Sequence, residues 1–126
     1  MLSRALAVTL AVISCGGAPA IDPAIEAQSV WQTRCVNCHG SRGRGDGPAG
    51  RATSPPPRDF SDPNWQRNDG QIRLAILYGG AAAGLNPAMA PNPDLRDKPA
   101  VVEALVAIVR SFGAAQVDPV DLNGLN

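Results

Sequence analysis

The 126-residue chain carries 11 basic and 11 acidic residues, so a formal net charge of zero gives no electrostatic reason to expect a nucleic acid or an acidic polymer as partner. Its length is that of one domain. Only 4% of the residues are aromatic, while 13 glycines and 12 prolines make the chain rich in loops; a domain so poor in large side chains needs a further apolar body, such as a buried cofactor, to complete its core.

Residues 1–14 read as an export signal. Arg4 gives a basic start, and "ALAVTLAVI" is an apolar run too short to span a bilayer as a mature helix. "VISC", Val12 to Cys15, resembles the lipobox of bacterial lipoproteins and makes Cys15 a candidate for lipidation. Cleavage after Ala20, in "APA", is the alternative. The first places the mature domain on the periplasmic side of a membrane, held by its lipid; the second leaves it free in the periplasm. Several acyl chains at ~0.8 kcal/mol per buried CH₂ make such an anchor stable. Residues 15–22 are then a linker.

Three helices are predicted. Asp22-Pro23 is a cap followed by proline at the first helical position, and Ala27, Trp31 and Cys35 recur on one face of the helix that follows. The second helix begins at Asp69, carries Ile72, Ile76 and Leu77, and stops at Gly79-Gly80. The third starts near Asp97 with Pro99 in its first turn, runs through Val102, Leu105, Val106, Val109 and Phe112, and ends at Gly113. No stretch alternates with period two, so no sheet is expected. The long loops, Gly40 to Asn68 and Gly80 to Pro93, each hold bulky residues among the turn formers: Phe60 and Trp65 in one, Leu85 and Met89 in the other. Such loops suit a role in wrapping something. Residues 114–126 read as a loose tail.

The chemistry sits in "RCVNCHG", Arg34 to Gly40, which holds the single histidine and two of the three cysteines. Beyond the signal, Cys35, Cys38 and His39 fall one short of a four-ligand zinc site. A dithiol oxidoreductase places its motif at the start of a helix after a strand; here the motif ends a helix in a chain without strand patterns. Covalent haem attachment uses all three residues. Two thiols add across the porphyrin vinyl groups and the imidazole after the second cysteine meets the iron, which is how Cys-x-x-Cys-His is read in exported proteins. For the second axial position histidine is used up and Met1 lies in the signal, which leaves Met89; a gap-filling core methionine is the alternative. The pair His39 and Met89 would fill both axial sites and raise the reduction potential.

With these residues in view the chain resembles a class I monohaem cytochrome c, over about residues 23–113. The resemblance rests on Trp31 four residues before Cys35, on "CHGSRGRGDGPAG", on "DFSDPNW", on "LYGG" before the methionine loop, and on "VRSF". Where the family commonly has Met-Pro, this chain has Met89-Ala90-Pro91. The resemblance implies an all-α fold with long loops around one covalently bound haem c, and with the N- and C-terminal helices packed crosswise through Trp31, Leu105, Ile108 and Val109. In it Ile108 takes the place often held by an aromatic facing Trp31. It further implies that the Pro48 carbonyl accepts from His39 Nδ1–H. Arg58 and Trp65 are candidates to reach the haem propionates, with a solvated loop position as the alternative for each. The implied function is one-electron transfer between redox protein partners, with no enzymatic residues. A haem-bearing subunit of a larger respiratory or dehydrogenase complex, and a gas-binding haem sensor should Met89 not ligate, are the alternatives. Arg42, Arg44 and Arg51 form a basic cluster that could steer an acidic redox partner.

Overall fold

The computed structural model describes residues 20–114. The expected signal, Cys15 and nearly all of the expected tail lie outside the described residues. Among those described, the structure is helical throughout, with no strand.

α1 (Pro23–Val30) starts where Asp22 Oδ1 accepts from the Ala24 amide at 2.8 Å, answering one of the amides that a helix start leaves free. A π-helical turn, Trp31–Cys35, and then α2 (Val36–His39) continue it as one helical run. Gly40, at φ 78°, ends the run directly after the histidine. α3 (Asp69–Ala82) opens with a reciprocal capping box: Asn68 Oδ1 accepts from the Gln71 amide, and Gln71 Oε1 accepts from the Asn68 amide. The expected stop at Gly79 is a break rather than an end. Gly79 has φ 82° and ψ 176°, and one further turn follows to Ala82. α4 (Pro99–Ala114) lies within a residue or two of its predicted bounds.

α1 packs against α4, the N- and C-terminal helices in contact, and α3 packs on α4. Ala27, fully buried, lets the first two approach, and Val30, Trp31, Val101, Val102, Leu105, Val106 and Val109 close the core around it. Burying a leucine or valine side chain contributes about 1.5–3 kcal/mol, so this seam is the main apolar support of the described protein. Trp31 meets Phe112, with ring centroids 5.2 Å apart. The aromatic facing Trp31 is therefore Phe112; Ile108 is only half-buried at the edge of the cluster. A short 3₁₀ turn, Pro93–Leu95, inserts Leu95, which at 1% exposure is as deeply set as Leu105 at 2%.

Candidate functional site

Cys35, Cys38 and His39 lie on one continuous helical run, which fixes their order and spacing along one short stretch of rod. Cys35 and Cys38 are both free and half-buried. Burial pushes the Cys35 thiol up to about 11, despite the Arg34 charge beside it, so near pH 7 it is a neutral thiol. That is opposite to the activated thiolate a dithiol oxidoreductase needs. His39 is mostly enclosed, and burial holds its imidazole below the ordinary histidine range. The ring is therefore neutral near pH 7 and keeps a lone pair for a metal. Phe60 stacks on it at 5.0 Å, and Trp31 lies 6.1 Å away.

The loop after Gly40 folds back over the exposed carbonyl end of α2. The amides of Gly40, Ala49 and Gly45 donate to the carbonyls of Val36 (2.8 Å), Asn37 (3.0 Å) and His39 (2.8 Å). Three of the four carbonyls of α2, those of Val36, Asn37 and His39, are thus answered by the chain that follows them. The approach is close enough that a Cβ at Gly50 would collide with the Cys38 carbonyl. Phe60 closes the far end through its amide to the Gly43 carbonyl, 2.8 Å.

Met89 is half-buried in the segment after α3, and its carbonyl accepts from the Gly80 amide at 2.9 Å. Trp65 packs on Phe60 at 4.9 Å and lies under the Arg110 guanidinium at 5.7 Å. His39, Phe60 and Trp65 are thus brought into one aromatic chain, with Phe112 joining Trp31 to Phe60 at 6.5 Å. Arg58 is exposed, and Pro48 is exposed in the loop over α2. His39 Nδ1 is buried without a hydrogen-bond partner, so the expected bond from it to the Pro48 carbonyl is not made in this structure. The loop is held over α2 by its amides on the helix carbonyls, and Arg51 Nε ties the turn down through the Asp46 carbonyl at 2.7 Å. Leu95, buried in the same cluster as Trp31, is a core residue that no local pattern marks.

The donor set fits a covalently held haem: two free thiols at the attachment spacing, and a neutral histidine with one orphaned ring nitrogen. An all-helical domain closed by its terminal helices around such a motif is of the haem-attaching electron-carrier class. The family model for cytochrome c matches residues 24–112, and the chain belongs to that family. It therefore carries one covalent haem c and works in haem-based electron transfer with redox partners. No curated protein matches the chain. No helix among the described residues is long and apolar enough to cross a membrane.

Proposed function

We propose that the protein is a one-electron carrier whose haem is attached through Cys35 and Cys38 and whose iron takes His39 and Met89 as axial ligands. The observation that carries this is the largely enclosed His39, its Nδ1 without a protein partner, on the same helical run as both free thiols. Met89, pinned by its carbonyl to Gly80, supports the second ligand. When bound, the haem supplies a reversible ferric/ferrous couple, and the thioether–imidazole pair raises its potential. The chain's own residues bind and orient. Phe60 and Trp31 keep water from the imidazole, and the Pro48 turn is the proposed acceptor for the orphaned His39 Nδ1–H, which would fix the ring and raise its basicity. Arg58 and Trp65 are the proposed contacts to the propionates. No residue is given a catalytic role.

Arg42 and Arg44 are exposed beside Arg51 on the loop that covers the attachment turn. Their charge supports steering of an acidic redox partner to this face. Cys15 is the proposed lipid anchor on the periplasmic side of a membrane, and intact mass of the mature protein tests it together with haem attachment. The ligand set is tested by absorbance: the oxidised protein is expected to show a sulfur-to-iron band that Met89→Ala removes. A band that survives the substitution overturns the assignment.

A further inference from the structure

The side chains around Met89 do little to hold it in place. Pro87, Ala88, Ala90 and Pro91 are all exposed, so burial contributes little there. Leu85 and Met89 are only half-buried and Leu95 anchors the chain beyond the loop; at the methionine itself the hold comes from hydrogen bonds, whose source lies in the break of α3 at Gly79. A helix that stops leaves its last carbonyls without amides. Asn92 answers two of them: its Nδ2 donates to the Ile76 carbonyl at 2.8 Å, and its amide to the Leu77 carbonyl at 3.3 Å. Gly80, just past the break, turns its amide to the Met89 carbonyl. The segment from Met89 to Asn92 is thereby gripped at both ends by α3.

A third grip comes from the haem-attachment helix itself. Arg34, the residue before Cys35, donates from Nη1 to Asp94 Oδ1 at 2.9 Å and to Asn92 Oδ1 at 3.3 Å. One guanidinium thus ties the run that carries Cys35 and His39 to the loop that carries Met89. Asn92 stands at the junction, with its oxygen on Arg34 and its nitrogen on α3.

We propose that Arg34, Asn92 and Asp94 are positioning residues for Met89. They form a clasp that holds the methionine loop against the attachment helix and, when undone, opens the sixth iron position to a small neutral ligand. The proposal rests on Met89 as axial ligand. Each grip is worth a modest factor. A net protein hydrogen bond, as at Asn92, shifts an opening equilibrium by about fivefold. The exposed Arg34–Asp94 pair shifts it by about fivefold at most.

The test uses the haem-loaded full chain, with imidazole as probe of the ferric form. Apparent imidazole affinity scales with the fraction of molecules in which Met89 is displaced. Asn92→Ala is expected to raise that affinity about fivefold, and Arg34→Gln and Asp94→Asn two- to fivefold. In each, the sulfur-to-iron band should be lost at a lower temperature than in the parent, while helicity by circular dichroism melts where it did before. Arg34→Gln combined with Asp94→Asn should be no looser than Arg34→Gln alone, since Arg34 is the shared partner of Asp94 and Asn92. Glu103→Gln, which breaks an exposed ion pair between α3 and α4, is the control and should leave imidazole affinity unchanged. Parent-like affinity and band melting in all three clasp variants would overturn the clasp, as would band and helicity lost together. Should Asn92→Ala fail to fold, the two exposed partners decide alone. Absence of the band in the parent, or its persistence in Met89→Ala, would instead overturn the Met89 reading, so the two failures are distinct.

Discussion

His39 sits on a helix whose end carbonyls are answered by the loop that starts at the next residue, whereas Met89 sits in a loop held through Asn92 by partners 16 and 58 positions away. The first arrangement is local. Cys35, Cys38 and His39 share one helical run, and the amides of Gly45 and Ala49 fold straight back onto it. The second is assembled from three separate stretches of chain, and its buried apolar anchor, Leu95, lies six residues beyond the methionine rather than at it. Local arrangements survive small disturbances elsewhere, because their entropy cost of closure is low. Assembled ones open first. A carrier with one rigid and one yielding side keeps its cofactor permanently while leaving the second side adjustable.

The comparison breaks altogether if the shared core is removed. Leu105→Ala, at a side chain 2% exposed between the terminal helices, is expected to cost about 2–5 kcal/mol. Both sides should fail together, with the sulfur-to-iron band and helicity melting at one lowered temperature. Two separate transitions in that variant would mean that α1 and α4 do not underpin the methionine loop.

Gly50→Ala strikes the local side. The new Cβ would meet the Cys38 carbonyl, which is fixed in a helix and has nowhere to go, so the loop over α2 must lift at about 1–3 kcal/mol. The measurement is the thermal midpoint of the loaded protein, together with the yield of covalent attachment. Normal yield at an unshifted midpoint would show that the loop over the attachment turn is dispensable. Gly80→Ala strikes the assembled side. Its Cβ would collide with the Asn86 carbonyl and stand 3.2 Å from Met89 Cβ, in a loop that can move. The global cost should be smaller, about 1 kcal/mol, while the sulfur-to-iron band is weakened or lost and attachment is complete. The reverse pattern, with the band intact and the midpoint strongly lowered, would invert the assignment of rigid and yielding sides.

What the sequence discloses follows the same division. The attachment motif, the helix caps and the stripe from Val102 to Phe112 are local patterns, and the three helices stand where those patterns place them. The π turn at Trp31–Cys35 escapes, because periodicity over so few residues cannot tell one extra residue per turn from ordinary helix. Leu95 looks like a loop residue between Pro93 and Asp97, and only the 3₁₀ turn shows that it plugs the core. The ring that meets Trp31 is Phe112, one turn beyond Ile108, since which of the positions along the stripe presents an aromatic to Trp31 depends on how the helices dock. Arg34, Asn92 and Asp94 carry no motif at all. Polar side chains that meet across 58 and 60 positions become visible only once the chain is folded.

The smallest effect separates the two sides by acid. Arg34 holds the Asp94 carboxyl below the usual carboxylate range by a hydrogen bond, with the charges of Arg34 and Lys98 adding to it. Arg73 does the same for Glu103 by a hydrogen bond and its charge, opposed by desolvation and by the Asp69 charge. A folded pKa below the unfolded value means that each pair's stabilisation is complete above the unfolded carboxylate pKa, about 4. It fades as pH falls through the depressed folded value. The electrostatics of the two pairs are alike, but their places differ. Arg34–Asp94 joins the attachment helix to the methionine loop; Arg73–Glu103 joins α3 to α4. Acidification below pH ~4 should therefore lower the melting point of the sulfur-to-iron band in the parent, and Asp94→Asn should flatten that slope. Glu103→Gln should leave the band's acid slope intact and flatten only that of the helicity melt. If the two substitutions flatten the same curve, Met89 is held no more loosely than the rest of the protein, and the difference between the two sides disappears.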